Sequence, residues 1–448
     1  MTVLSNNWIT TDLESITEIL DYKRVPINSE ERQKRKESKR LSELYPYYGA
    51  TGQVDYINDY LFDGEYVLLG EDGAPFLDPL KNKAYIVSGK FWVNNHAHIL
   101  KGYISNKYLC FYLNQYNFIG HVTGTTRLKL NQSSMKSITI KVAPLNEQNR
   151  IVQKIEKLFS DLDKAAEDLA KTQEQLKIYR QAVLKAAFEG KLTEEWRRKN
   201  KLNLSEKILK IRHNDIKEIY KIPLSWKWLF LNDIGFVVSG GTPSTKEPEY
   251  FNGEIPWITP KDLSGYNKKY ISKGLRNISE KGLKESSAKL LPKGSIVFSS
   301  RAPIGYTAIT ENELCTNQGF KNIILNDGIN SEYVYYYLRN NKSLAERYAS
   351  GTTFKEISGS KFAILPIPLC NLKEQEQVVS EIESRLSVCD KLEETVQQSL
   401  NKIEYLRQSI LKKAFEGKLV PQDPNDPPAC ELIKQIKIEK DKMCKNGK

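Results

Sequence analysis

The chain has 448 residues, 40% hydrophobic and 27% charged, with 67 Lys and Arg against 55 Asp and Glu, a formal charge of +12. That length exceeds one comfortable core and predicts at least two domains, while the lack of any window of about 18 uninterrupted apolar residues argues against a membrane span. The basic balance favours a polyanionic partner.

In chain order, residues 1–143 carry short β-branched and aromatic runs broken by glycine, proline and asparagine, which predicts a sheet-rich α/β module. Its landmarks are Tyr45-Pro46-Tyr47-Tyr48-Gly49-Ala50-Thr51-Gly52 and Gly70-Glu71-Asp72-Gly73-Ala74. The basic run 32–40, interrupted by Glu37, reads as a solvated helix face, with a phosphate-tracking surface as the alternative. His96 and His98 share one face of a strand, but no Cys, Asp or Glu stands nearby at ligand spacing, so a core or DNA-facing pair is expected rather than a metal site. Glu71 and Asp72 lack a third acidic or lysine partner at convincing spacing, so they are expected to order a turn rather than to form a nuclease.

Residues 144–197 form the next element. Ile151, Ile155, Leu158, Leu162, Ala165, Leu169, Thr172, Leu176, Tyr179, Val183 and Ala186 alternate in spacings of four and three, a heptad seam. Neither proline nor glycine intervenes before Gly190, which predicts a helix of about 43 residues, roughly 65 Å long. A polar link, 198–225, holds a short helical patch at 204–211.

Residues 226–368 are a second sheet-rich module, marked by Ser239-Gly240-Gly241-Thr242-Pro243, Ile255-Pro256-Trp257-Ile258 and Gly294-Ser295-Ile296-Val297-Phe298-Ser299-Ser300-Arg301. Residues 369–420 form a second helical spacer, whose long helix, of the same expected length, repeats the seam less cleanly through Val378, Ile382, Cys389, Leu392, Val396, Ile403, Leu406 and Ile410, with Arg385 and Ser399 breaking it. The tail, 421–448, carries a helical patch at 431–438, and its lysine-rich end, 434–448, is expected to fray.

These elements are a duplication. Gly124-Thr125-Thr126 recurs as Gly351-Thr352-Thr353, Glu147-Gln148 as Glu374-Gln375, Asp163-Lys164 as Asp390-Lys391, and Ala187-Phe188-Glu189-Gly190-Lys191-Leu192 as Ala414-Phe415-Glu416-Gly417-Lys418-Leu419, all at an offset of 227. With both helices in one chain, intramolecular pairing is favoured over dimerisation. The fold class is therefore α+β: two sheet-rich α/β modules separated by two long helices that form an antiparallel coiled coil, with an intramolecular pseudo-twofold. By the same symmetry the tail is expected to fold back toward the start of the first module, bringing the termini close.

The six cysteines (Cys110, Cys315, Cys370, Cys389, Cys430 and Cys444) contain no Cys-x-x-Cys pair and fit free thiols. Met1 to Trp8 lacks the basic-then-apolar pattern of a secretory signal, so a cytoplasmic location is expected. There is no Gly-x-x-x-x-Gly-Lys-Ser/Thr loop for ATP. Asn425-Asp426-Pro427-Pro428 only superficially resembles the Asn-Pro-Pro-aromatic segment of amino-methyltransferases and lies in a linker. A standalone methyltransferase or nuclease is disfavoured by these absences, and a scaffold without nucleic acid by the basic balance and the paired divergent modules.

The two module motif sets and the two Ala-Phe-Glu-Gly-Lys-Leu helix ends, in this order, resemble the specificity subunits of type I restriction–modification systems over nearly the whole chain. The resemblance implies two target-recognition domains, each reading one half of a split double-stranded DNA site, and a coiled coil that spaces them. It also implies two docked methyltransferase subunits, with restriction or motor subunits beside them. S-adenosylmethionine, ATP and magnesium are then expected on those partners, with no cofactor, metal or catalytic residue in this chain. Readers of base edges and phosphates should be polar and basic residues on loops. The candidates are Tyr47, Tyr48, Thr51, Lys90, Asn94, Asn95, Thr125, Thr126 and Arg127 in the first module. In the second they are Thr242, Ser299, Arg301, Asn317, Gln318, Lys321, Thr352, Thr353 and Lys355.

Overall fold

The structure, a computed structural model, describes residues 7–446 apart from 202, 212, 214–215, 217–218, 302 and 352–354. The chain divides into two compact units, Met1–Lys171 with Val396–Lys448, and Thr172–Thr395. Each unit thus holds one module, the first part of one long helix and the last part of the other.

The first module has strands β1 (Ile9–Asp12), β2 (Thr17–Ile19), β3 (Tyr45–Gly49), β4 (Gly52–Ile57), β5 (Phe62–Gly70), β6 (Ala84–Val93), β7 (Ala97–Gly102) and β8 (Thr139–Val142). Six form a sheet in the order β2-β7-β5-β6-β3-β4, and β1 pairs with β8. The two-residue period of a strand splits β5 between two cores. Val67 and Leu69 pack with Tyr108, Leu109 and Leu113 of helix Asn106–Gln115, whereas Leu68 faces Val87, Phe91 and Ile99.

The second module has β9 (Lys227–Phe230), β10 (Gly235–Ser239), β11 (Phe251–Ile258), β12 (Tyr270–Ile271), β13 (Arg276–Ile278), β14 (Ile296–Ser299), β15 (Thr307–Thr310), β16 (Cys315–Thr316), β17 (Phe320–Leu325) and β18 (Pro366–Leu369). Its sheets run β10-β17-β14-β15-β12, β13-β11-β16 and β18-β9. The modules look unrelated in sequence, yet β2-β7-β5-β6-β3 and β10-β17-β14-β15-β12 have the same connectivity. In each the fifth strand joins parallel to the fourth. Alternating apolar residues suffice to specify such a scaffold, so its side chains and connecting loops are free to diverge.

The long helices are Leu145–Phe188 and Leu372–Phe415, 44 residues each. In the first unit they run antiparallel: Ile151, Val152 and Ile155 share a core with Leu411, Ala414 and Phe415, and Arg407 meets Asp163. The second unit repeats this with Ala187 and Phe188 against Val378, Val379 and Ile382, and Arg180 against Asp390. The predicted seam holds at Ile151, Ile155, Leu176, Val183, Val378, Ile382, Cys389, Val396 and Ile403, which are buried. Ala165, Tyr179, Leu392 and Leu406 are exposed, because an α-helix drifts by about 20° per heptad from a strict seven-residue stripe. Gly190 and Gly417 end the helices at φ +70° and +72°, and the next residue's N–H reaches back to Ala186 O and Lys413 O, both at 2.9 Å.

The segments after the helices fold onto helix starts. Thr193 Oγ1 and Arg197 Nη1, just past the end of the first long helix, each donate to the buried Glu374 Oε1 at 2.9 Å. In the first unit Glu147 accepts from Trp8 Nε1 at 3.0 Å, and Arg150 binds Asp426 of the tail at 2.6 Å. The tail does not fray as expected. Residues Ala429–Asn446 are one helix, because Ala429, Ile433 and Ile436 recur at helical spacing and enter the first module's core. Ala429 N donates to Asn7 O at 3.0 Å, and Lys440 Nζ donates to Thr17 O at 3.1 Å, so the tail folds back on the start of module one.

Candidate nucleic-acid interface

In the first module four turns meet at one edge. The β3–β4 turn carries Thr51, and the β6–β7 turn carries Asn94 and Asn95. Asn94 N donates to Tyr48 O at 3.1 Å and the Asn94 side chain accepts from His96 N at 2.8 Å. Glu71 N reaches His96 O at 2.8 Å, and Asp72 collects His96 Nδ1 at 2.7 Å and Arg127 Nη2 at 2.8 Å. This ties the 124–127 loop to the histidine turn. Thr51, Asn95, Thr125, Thr126 and Arg127 are exposed there, and Asn94 is half-buried.

The remaining first-module candidates fall elsewhere. Tyr47 is a core residue, 1% exposed, whose hydroxyl donates to Ile27 O, so it offers nothing to an external ligand. Tyr48 is half-buried against Tyr85 and Phe91. Lys90 is exposed on β6, its ammonium over the Tyr60 ring. The basic run forms helix Ser29–Lys36, where Arg32 and Lys36 clamp Asp55 at 2.8 and 2.7 Å and Arg35 lies over Trp92.

Beneath the edge lies a buried charge network that sequence spacing concealed. His98 Nδ1 meets Asp21 Oδ2 at 2.6 Å and its Nε2 meets Leu130 O at 2.9 Å. Both partners are acceptors, so both contacts are hydrogen bonds only when the ring carries two protons. Burial would raise the Asp21 carboxyl, but the His98 hydrogen bond and charge, the Ile99 N–H and Arg24 outweigh it and hold it below the usual carboxylate range. Asp21, Glu71 and His98 place one ligand atom each within 4.8 Å of one another, correcting the expectation that no carboxylate stands near the histidines. Those donors are already committed: Arg24 donates to Glu71 at 2.5 Å, Lys129 lies 3.4 Å from Glu71, and both imidazole nitrogens are bonded. The arrangement is an ion-pair network that fixes the loops above it.

In the second module the Ser-Gly-Gly-Thr-Pro motif has a steric origin. A Cβ on Gly240 would stand 1.9 Å from Asn317 O, and one on Gly241 would stand 2.2 Å from Ala288 N. This close backbone approach sets Thr242 Oγ1 against the exposed Gln318 Oε1, with Asn317 accepting from Gly319 N at 2.9 Å. Beside them Glu356 lies 3.5 Å from Arg301 and 4.0 Å from Lys321. Burial pulls the Lys321 ammonium below the usual lysine range; Glu356 opposes the shift and Arg301 adds to it. Lys355 is exposed. Ser299 is fully buried, donating to Pro303 O at 2.7 Å and accepting from Tyr306 N at 2.8 Å, so it braces a turn from inside. Thr352 and Thr353 lie outside the described residues. Glu356 and Lys129 are not among the sequence candidates, although the offset of 227 that aligns them is legible.

The two edges are therefore both polar, and they carry different side chains, Asp72, Asn95 and Arg127 at one and Thr242, Arg301, Gln318 and Glu356 at the other. The model of the type I restriction modification DNA specificity domain matches residues 6–172 and 223–405. The chain belongs to that family and is a DNA sequence-specificity subunit of the type I restriction class. It is 25% identical to the Escherichia coli type I restriction enzyme EcoDI specificity subunit over 416 residues, covering 88% of this chain and 89% of that protein. The Methanocaldococcus jannaschii MjaIX specificity subunit is 49% identical over 166 residues, a match spanning 36% of this chain and 38% of that protein. A chain from a structural study of complex assembly in the type I R-M system shares the fold with TM-score 0.62 at 18% identity, over 93% of this chain and 99% of that one. The HsdS subunit from Thermoanaerobacter tengcongensis gives TM-score 0.56 at 17% identity, over 93% of this chain and 98% of that one.

Proposed function

We propose that each module reads one half of a split double-stranded DNA site, through the edge carrying Asn95, Thr125, Thr126 and Arg127 in one and the edge carrying Thr242, Arg301, Gln318 and Lys321 in the other. The observation that carries this reading is one scaffold built twice with different polar side chains at its loop edge. The long helices hold the half-sites at a fixed separation, which for reading from one side of the duplex is about one helical turn, roughly 34 Å. They also dock two methyltransferase subunits, with restriction subunits joining the complex. In support, Ile178 and Tyr179 are 60% and 47% exposed, and their repeat counterparts Tyr405 and Leu406 are 65% and 40% exposed. Apolar pairs retained on solvent-facing helix positions fit a protein partner.

In this reading the chain is non-catalytic and cytoplasmic and carries no cofactor or metal of its own, with S-adenosylmethionine, ATP and magnesium bound by the partner subunits. Among the described residues no helix is long and apolar enough to cross a membrane. The test is a genome-wide map of methylated adenines with and without the gene. One split motif should disappear, and replacing residues 226–368 by another module should alter one half of it. A change in both halves would overturn the assignment of one module to one half.

A further inference from the structure

The Gly-Thr-Thr loop is framed identically in both modules. Thr123 and Lys129 exchange two backbone hydrogen bonds at 2.9 and 2.8 Å, and Ser350 and Glu356, 227 residues on, do so at 3.0 and 2.9 Å. Gly124 and Gly351 open the turn at φ +96° and +108°. The residue after each closure, Leu130 or Ile357, is fully buried and donates its N–H to Glu71 O at 2.7 Å or Ser300 O at 3.0 Å. Asn131 and Ser358 then cap the next short helix by accepting from Ser134 N at 2.9 Å and Lys361 N at 3.3 Å.

These residues account for the loop's shape. Glycine supplies the left-handed backbone, Leu130 the anchor and Asn131 the cap. Thr125 and Thr126 contribute to none of it. Both are exposed, and neither hydroxyl has a partner among the described residues. Yet the pair recurs as Thr352 and Thr353, whereas the next three residues diverge from Arg127-Leu128-Lys129 to Phe354-Lys355-Glu356. A feature kept the same in two readers of different sequences is matched to what the two half-sites have in common, and that is the sugar–phosphate backbone.

We infer that Thr125 and Thr126 bind DNA phosphate oxygens through their hydroxyls and set the register of the first module on the duplex, while the divergent residues around them, Arg127 and Asn95 among them, read bases. This deepens the proposed function and rests on it.

The experiment uses the full chain co-purified with its methyltransferase partner and three duplexes: the mapped methylation site, the same site with the module-one half scrambled, and unrelated DNA. The T125A/T126A variant should lose affinity for all three by the same factor, roughly threefold to tenfold per hydroxyl, leaving the ratio between site and scrambled site unchanged. T125S/T126S, which keeps the hydroxyls, should bind like wild type. The hydroxyls have no partner among the described residues, so thermal melting should be unchanged in both variants. A fall in the ratio would show that the threonines read bases, and unchanged affinity would make the loop purely structural; either overturns the inference while leaving the proposed function standing. If the wild-type complex fails to distinguish the site from the scrambled duplex, the proposed function falls and takes the inference with it.

Discussion

Arg180 Nη2 lies 2.5 Å from Asp390 Oδ1, and the two residues 227 positions away from them, Arg407 and Asp163, form the same bond with donor and acceptor helices exchanged. In each unit this fixes which turn of one helix faces which turn of the other. Both carboxylates are largely exposed, so the energy of each pair is modest and its value is registry. Reversing Arg180 to Asp should lower stability by about 0.3–1 kcal/mol. Adding Asp390→Arg should restore most of it, despite the residual Glu393 contact at 3.0 Å. Urea unfolding of the four proteins of the double-mutant cycle provides the measurement, and additivity would deny the pairing.

Glu374 poses the opposite case, a carboxylate 0% exposed and held by Thr193 and Arg197. Arg197→Ala strands that charge and should cost about 3–5 kcal/mol. Glu374→Gln added to it removes the stranded charge, so the double variant should be more stable than Arg197→Ala alone. Denaturant midpoints decide this, and a double variant weaker than both singles would show that the charge is not what matters.

Asp55 gives the pH dependence. Partial burial pushes its carboxyl up, but Lys36, Arg32 and the Tyr56 N–H outweigh burial and hold it at about 2, against an ordinary 3.8. A carboxyl whose folded value is depressed contributes stability that is complete above its unfolded value and is lost as pH falls through the folded one. After screening by solvent the contribution is roughly 1–2 kcal/mol. Wild type should exceed Asp55→Asn by that amount above about pH 5, with the gap narrowing progressively as pH falls from 4 toward 2. A gap independent of pH would mean that charge pairing is not its source.

The sequence by itself determined the repeat, the two 44-residue helices and their glycine stops, because apolar periodicity and a constant offset of 227 are properties of the chain read in one dimension. The family resemblance rested on the same ordered motifs. Tertiary structure alone decided what depends on residues far apart in sequence. Tyr47 and Ser299 look like loop readers in print, but β-pairing turns both side chains inward. His98 finds Asp21 and Leu130 across 77 and 32 residues, and Glu356 gathers Arg301 and Lys321 from separate segments. The lysine-rich tail became a packed helix because the first module's core accepts Ile433 and Ile436, a destination that local composition does not encode.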